Sequence, residues 1–238
     1  MANPKRLRYH SRVTEAFPFL DLFQKIPGVR AEWIGRVPEL SITGDRDEAM
    51  TQLRPHHESA VAAFAGPTTP WWRAEQVHGT EIAIVPGARQ ILSPDGLPVI
   101  PGVDGLITAE PGVVLAIYVA DCGPIWLADH KSGAIGLLHS GKKGTEGNIF
   151  NKALQLMAKN FGTRPEDVIS ILGPCIRRPH YEVDFAREIG RQAKRAGVGN
   201  FIDCELDTAA DLRRFYSYRL EAGKTGRMMA LITRDFIP

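Results

Sequence analysis

The middle of the chain alternates short apolar runs with glycine- and proline-rich turns, a pattern typical of β-strands. The runs are rich in β-branched residues and each is bounded by turn-forming residues. They predict strands over residues 71–76, 81–85, 105–108, 113–119, 125–128 and 134–138. The Pro- and Gly-rich stretch 86–105 predicts an ordered surface loop, because apolar strand patterns resume on both sides of it.

Apolar residues at helical spacing occur on either side of this strand-rich region. They predict helices over residues 17–26, 45–64, 148–160 and 185–196, and further strands are expected over 31–37 and 168–172. Pro55 should break or kink the second helix, so the pattern fits two short helices as well as one. Helices and strands alternate without strict βαβ regularity, which indicates an α+β fold of packed layers.

Composition narrows the class of protein. With 238 residues, 44% hydrophobic and 24% charged, the chain fits a single globular domain over residues 1–238. A net charge of +2 with scattered Lys and Arg argues against a nucleic-acid partner. No apolar stretch approaches the ~20 residues that span a bilayer, and the basic segment 1–12 is not followed by the apolar part of a signal peptide.

The three cysteines are too few and too far apart for a disulfide framework, which predicts reduced thiols. We therefore expect a cytoplasmic protein without nucleic-acid or membrane partners. Its oligomeric state is expected to be monomer or homodimer.

Three polar segments follow apolar runs and carry candidate metal ligands. They contain His78, Cys122 and His139. Two imidazoles and a thiolate suit zinc, with copper as the alternative, and three protein ligands leave a position open for water or substrate. Spacings of 44 and 17 residues are not a local motif. Each residue alone therefore also fits a structural role, as a hydrogen-bonded histidine or a buried thiol.

Neighbouring residues suggest further roles. Asp121, next to Cys122, fits an acceptor that orients a ligating imidazole, a general base, or an Asx turn. Asp104 fits a turn cap or a functional role.

Lys142 and Lys143 follow His139 in a glycine-rich turn. This turn fits either an anion site or a helix cap by Thr145 with solvated lysines.

Several short motifs occur in a characteristic order. They are Gln-Val-His-Gly from residue 76, Ala-Asp-Cys-Gly-Pro from 120, His-Ser-Gly from 139, Gly-Pro-Cys-Ile from 173, Tyr-Glu-Val from 181, Tyr-Ser-Tyr-Arg from 216 and Thr-Gly-Arg from 225. In this order, over residues 31–232, the chain resembles the laccase-domain family. That family was named for multicopper polyphenol oxidoreductases, and its members are also similar to purine nucleoside phosphorylases and a peptidoglycan-editing factor.

The resemblance implies a fold, a metal site and an activity. The fold would be a four-layer α/β/β/α sandwich with mixed sheets, and His78, Cys122 and His139 match the metal positions. The implied enzyme is a zinc-dependent purine nucleoside phosphorylase, whose small-molecule partners are a purine nucleoside and phosphate. Some members add adenosine deamination and methylthioadenosine phosphorolysis. For deamination an acid must protonate the leaving amine, and Asp121 is the candidate proton carrier.

The resemblance also suggests residues that bind substrate. Gln76 belongs to the motif that carries His78, and Arg54 stands where the family has the arginine of an early Asn-Arg pair. Lys142 and Lys143 stand where the family usually has tryptophan and arginine. Phosphate is accordingly expected at Arg54, Lys142 or Lys143.

Three other functions fit the same residues. Cys122 fits the nucleophile of a cysteine hydrolase or amidase that edits peptidoglycan precursors, with a histidine as base. The changed residues after His139 also fit an inactive protein that binds a metabolite. A copper polyphenol oxidase is the weakest of the three, because the seven histidines include no His-x-His pair.

Overall fold

The computed structural model describes residues 17–236, and the basic segment 1–12 lies outside them. The first element is a 3₁₀ helix, Pro18–Lys25. The strands are β1 Val29–Ile34, β2 Trp71–Arg73, β3 Ile82–Ile84, β4 Ile91–Leu92, β5 Pro98–Val99, β6 Gly105–Thr108, β7 Val114–Val119, β8 Gly123–Asp129, β9 Ile135–Ser140, β10 Val168–Leu172, β11 Asn200–Asp203 and β12 Met228–Arg234. The helices are α1 Arg46–Ala65, α2 Lys142–Glu146, α3 Ile149–Phe161 and α4 Phe185–Ala196.

Two mixed sheets carry most of the strands. The smaller sheet has the order β1-β12-β7-β2, with β2 parallel to β7 and the other pairs antiparallel. The larger has the order β11-β10-β8-β9-β6-β3, with parallel pairs at both edges. The inner pairs of the larger sheet are antiparallel.

The two sheets pack face to face through an apolar layer that includes Leu115, Trp126 and Ile232. Helices α3 and α4 cover the other face of the larger sheet, and α1 covers the other face of the smaller one. The layers therefore run α/β/β/α, which confirms the expected α+β sandwich. No helix within residues 17–236 has the length and apolar character needed to cross a bilayer.

Helix α1 continues through Pro55 as one element, so of the two arrangements that fitted the sequence the single helix is present. Residues on both sides of the proline are buried, among them Leu53, His57 and Val61. This packing holds the helix together across the missing backbone N–H, because tertiary contacts override local propensity. At its start, Asp45 and Glu48 form a capping box.

Replacing Pro55 with alanine should stabilise the protein. Alanine gives the Thr51 carbonyl an N–H donor, and the gain of about 3 kcal/mol in helix propensity is offset in part by the entropy that the unfolded chain recovers. We expect the free energy of unfolding in urea to rise by about 1 kcal/mol. The control Pro67→Ala lies in the turn after α1 and should bring no gain. An equal or lower free energy for Pro55→Ala would contradict the prediction.

The stretch 86–105 forms an ordered loop that contains the β4–β5 hairpin, as predicted. Its Asp95 accepts hydrogen bonds from Arg73 of β2, and both side chains are buried. A buried carboxylate and guanidinium must stay together, because either charge alone would be left desolvated. This pair fixes the loop against the smaller sheet.

Candidate metal centre and its cavity

His78, Cys122 and His139 come together at one end of the sheets. Their ligand atoms all lie within 4.8 Å of one another, and the rings of His78 and His139 are 4.9 Å apart between centroids. His139 is buried, Cys122 is half-buried and His78 is exposed. The triad expected from the sequence is therefore a spatial cluster with one open side.

The backbone reaches this cluster through two connections between the sheets. His78 lies between β2 of the smaller sheet and β3 of the larger. Cys122 lies between β7 of the smaller sheet and β8 of the larger. His139 lies within β9, which continues to Ser140 rather than ending before the histidine. His78 and Asp121 have φ values of 62° and 83°. Such left-handed backbone in non-glycine residues is uncommon and clusters at functional sites.

Asp104 connects two of the three candidate ligands. Its carboxylate is fully buried and accepts hydrogen bonds from His139 Nδ1 at 2.8 Å and from the backbone N–H groups of His78 and Gly79 at 2.9 and 2.6 Å. Burial alone would raise the pKa of the Asp104 carboxyl, but these hydrogen bonds outweigh it and lower the pKa. With Nδ1 donating to Asp104, His139 presents Nε2 to a metal.

The hydrogen bond to a candidate ligating imidazole, which was one of the roles suggested for Asp121, is made by Asp104. The carboxylate of Asp121 instead accepts from Thr208 Oγ1 at 2.6 Å, Ser217 Oγ at 3.1 Å and the Arg219 backbone N–H at 2.7 Å. Burial raises the pKa of Asp121, and the three hydrogen bonds reduce that rise. Asp121 still lines the cavity beside Cys122.

The thiol of Cys122 is strongly acidified. Burial raises its pKa, but the neighbouring His139 and His78 outweigh that effect and bring the pKa to about 6. The pKa of the neighbouring His139 shifts in the opposite direction. Burial lowers it, but Cys122 and Asp104 outweigh that effect and raise the pKa to about 9. Without a metal, the thiolate and imidazolium therefore coexist near neutral pH.

Alkylation should reveal this thiolate. In chelator-treated protein we expect the reaction of Cys122 with iodoacetamide to rise with a midpoint near pH 6, because the lowered pKa keeps the thiolate until the pH falls through that value. Cys204 is the internal control, since burial raises its pKa to about 11. Peptide mass spectrometry across a pH series measures both. A Cys122 midpoint near ~8.5, the value for an ordinary thiol, would contradict the prediction.

The triad fits a transition metal by its donor set. Zinc takes thiolate sulfur at about 2.3 Å and imidazole nitrogen at about 2.0 to 2.1 Å, usually as a tetrahedron. Three donors within 4.8 Å of one another can converge to those distances with small side-chain movements. Gly141 leaves room for the sulfur, because a Cβ at this position would lie only 2.6 Å from Cys122 Sγ.

The triad opens into a cavity of about 870 Å³. Four aromatic residues contribute to its wall: Tyr118, Tyr181, Phe185 and Tyr218. Five cationic residues also line it: Arg46, Lys142, Lys143, Arg219 and Arg227. A cavity with aromatic walls and cationic groups suits a planar base joined to anionic or polar groups.

Among the substrate-binding candidates, Gln76, Lys142 and Lys143 line the cavity. The Gln76 amide is committed to the backbone of Tyr118, where it accepts from N–H and donates to the carbonyl. The two lysines are exposed at the start of α2. Gly141 is the N-cap of α2, whereas Thr145 lies inside the helix and pairs with Ser140, so the expected cap by Thr145 is wrong.

Arg54 is not brought to the cavity. Its side chain donates to the Asp95 carbonyl oxygen and pairs with Glu58 on the same helix. Arg54 is not among the residues that line the cavity, and its role in binding phosphate stays a prediction. Arg46, two turns earlier on α1, reaches the cavity instead.

Sequence reasoning assigned no role to several lining residues. Tyr181, Tyr218, Arg219 and Arg227 lie in short motifs that carried the family resemblance, so their order along the chain was a usable signal. Arg46 follows the capping residue of α1 and belongs to none of the motifs, so nothing in the local sequence marked it.

Residues 39–189 and 183–235 match the family described as multi-copper polyphenol oxidoreductase laccase, and the chain belongs to this family. A relative from Deinococcus radiodurans, named purine nucleoside phosphorylase, is 33% identical over 216 residues that cover 79% of each chain. The purine nucleoside phosphorylase YlmD of Geobacillus stearothermophilus is 32% identical over 205 residues, covering 72% of this chain and 74% of its own.

Solved structures agree with the fold. The structure of YlmD from Geobacillus stearothermophilus aligns with a TM-score of 0.71 at 27% identity, covering 89% of this chain and 93% of that one. Hypothetical protein YfiH of Bacillus licheniformis aligns with a TM-score of 0.74 at 22% identity, covering 87% and 93%. The second comparison supports the fold alone.

Proposed function

We propose that the protein is a zinc-dependent purine nucleoside phosphorylase. The observation that carries this proposal is the convergence of His78, Cys122 and His139 on a cavity with aromatic and cationic walls. The relatives named purine nucleoside phosphorylase support the same activity. We also propose that residues 1–238 form one domain and that it works in the cytoplasm as a monomer or homodimer.

The metal would be held by His78, Cys122 and His139, with zinc preferred to copper because two nitrogens and one thiolate suit it. When bound, it supplies a Lewis acid that polarises a substrate oxygen or nitrogen. Asp104 fixes the tautomer of His139. The exposed Tyr218 and the half-buried Tyr181 offer ring faces for the purine, with Arg219 placed over the Tyr181 ring at 5.3 Å.

Phosphorolysis needs a proton for the departing base and an ordered phosphate. Asp121 is our candidate to hold that proton, because burial raises the pKa of its carboxyl. The hydrogen bonds from Thr208, Ser217 and the Arg219 backbone fix the position of its oxygens. The phosphate oxygen attacks C1′ of the ribose, the C1′–N9 bond breaks, and the products are the free base and ribose 1-phosphate.

The test is release of base from nucleoside. Purified full-length protein loaded with zinc should convert inosine or adenosine to free base and ribose 1-phosphate, and the reaction should require phosphate. A His78→Ala variant measured in parallel sets the background. Wild-type release no greater than this background would overturn the proposal.

Adenosine and methylthioadenosine extend the test. We propose deamination of adenosine at the same site, since a Lewis acid and a carboxyl proton carrier also serve amine displacement. We propose methylthioadenosine phosphorolysis because the aromatic wall can bind the same base. Chromatography of products separates them, since deamination gives inosine and phosphorolysis gives adenine.

The low pKa of Cys122 also suits a nucleophile, so a cysteine hydrolase or amidase is the second candidate. Elemental analysis of protein purified without a metal-affinity tag discriminates the two. Stoichiometric zinc that is lost in Cys122→Ala supports the phosphorylase. Metal-free protein that forms a covalent adduct with a peptidoglycan-like substrate at Cys122 supports the hydrolase.

A further inference from the structure

The cavity carries far more positive than negative charge. Its five lining cations face one lining carboxylate, Asp121, within the part of the chain that the structure describes. That carboxylate is already occupied by Thr208, Ser217 and the backbone of Arg219. The Arg219 side chain has its own partner, Glu182 Oε2 at 2.8 Å. The excess charge therefore lies on the other two arginines and the two lysines.

Arg46 and Arg227 are held in place by backbone groups alone. Arg227 donates to the carbonyl oxygens of Thr225 and Gly226 at 3.0 and 2.9 Å. Arg46 donates to the carbonyl oxygen of Glu75. Over residues 17–236 neither guanidinium has a carboxylate partner. Each guanidinium has five N–H donors, so these bonds orient the side chains and leave donors for a ligand.

Arg46 and Arg227 line the same cavity, and their like charges oppose each other. Burial lowers the pKa of Arg227, and the like charge of Arg46 lowers it further. Two like charges held at one cavity wall are unfavourable in the free protein, and an anion between them removes that cost. The planar, forked donors of arginine match the oxygens of phosphate.

Lys142 and Lys143 lack this anchoring. They are exposed, as Arg46 is, but unlike those of the two arginines their side chains make neither a hydrogen bond nor an ion pair within residues 17–236. A flexible, strongly hydrated ammonium loses side-chain entropy and water when it is fixed on a ligand. Unfixed lysines at a cavity mouth raise the local concentration of anions more than they bind them.

We propose that Arg46 and Arg227 form the subsite that binds inorganic phosphate. Lys142 and Lys143 attract the anion to the cavity and do not hold it. This assignment rests on the proposed phosphorolysis for its catalytic meaning. Phosphate bound there donates an oxygen lone pair to C1′, and the electron pair of the broken C1′–N9 bond goes to the purine. The proton lost by the phosphate balances the one gained by the base.

Calorimetry of inorganic phosphate binding to the zinc-loaded, full-length protein tests the assignment without turnover. Arg46→Gln and Arg227→Gln should each weaken the Kd for phosphate about tenfold or more, as expected for a lost charge-assisted hydrogen bond. Arg191→Gln is the matched control, since Arg191 is exposed on the surface of α4 with a weak pair to Glu188. It should bind phosphate as the wild type does. Zinc content and melting temperature verify that each variant is folded.

Kinetics add a second readout. Both cavity variants should raise the KM for phosphate about tenfold while changing the KM for inosine less than about threefold. Wild-type phosphate affinity in both variants would overturn the assignment, as would a Lys142→Gln, Lys143→Gln double variant that loses more affinity than either arginine variant. Loss of phosphate binding in the arginine variants of a protein that releases no base would leave the subsite standing and overturn the proposed function instead.

Discussion

Cys122→Ala is expected to lose both the bound zinc and the phosphorolytic activity. Alanine removes the soft, charged donor, and two imidazoles alone hold zinc far more weakly. We expect zinc to fall from about one ion per chain to a trace, and base release to fall about a thousandfold, which corresponds to about 4 kcal/mol of transition-state stabilisation. Elemental analysis and a chromatographic assay of free base measure the two effects.

Cys204→Ala is the matched control for this variant. Cys204 is also half-buried and unpaired, but it is not one of the residues that line the cavity. It should keep wild-type zinc and activity. Zinc retained at full occupancy in Cys122→Ala would exclude Cys122 as a ligand.

The second large effect is expected at Asp104. In Asp104→Asn, an amide NH₂ replaces one carboxylate oxygen and must face one of three N–H donors that the carboxylate now accepts from. We expect the affinity for zinc to fall 10- to 100-fold, as is typical when a partner of a ligating histidine is lost. We also expect a loss of about 2 to 4 kcal/mol in the free energy of unfolding. Chelator competition and urea denaturation measure these quantities.

Asp129→Asn separates the local role of Asp104 from a general effect of burying an amide. Asp129 is equally buried and accepts from the backbone of Lys131 and from both the backbone and hydroxyl of Ser132, at the far end of β8. This control should lose stability and keep its zinc affinity. Equal losses of zinc affinity in the two variants would show that Asp104 is only a structural residue.

The regular elements were largely predictable because burial imposes a period on the sequence. Strand β6 lies where a short apolar run bounded by turn residues placed it, and helix α4 lies where helical spacing placed it. Strand β12 was not predicted, although it pairs with both β1 and β7. Its run begins Met-Met-Ala-Leu, residues that favour helices, and a short continuous apolar run does not by itself distinguish a buried strand from a buried helix segment. Strand β11 is a short, half-buried edge strand with an equally weak signal.

The site was predictable in its ligands and much less so in their surroundings. His78, Cys122 and His139 were identified by the order of their motifs, whereas their convergence depends on pairings between distant strands. Asp104 precedes a glycine and looks like a turn residue, because nothing local shows that His139 lies opposite. In the sequence, Arg54 and Arg46 are both charged residues at polar positions of the helical pattern. Only the packing of α1 distinguishes the one that reaches the cavity.

His78 and Cys122 each lie on a connection between the two sheets, so a bound metal would affect the stability of the fold as well as catalysis. An ion bound to both would tie the smaller sheet to the larger, so the free energy of metal binding would also oppose separation of the layers. Cellular proteases act on opened chains, and metal-free molecules would open more often. The abundance of this protein in a cell, and not only its catalytic rate, would then follow the supply of zinc.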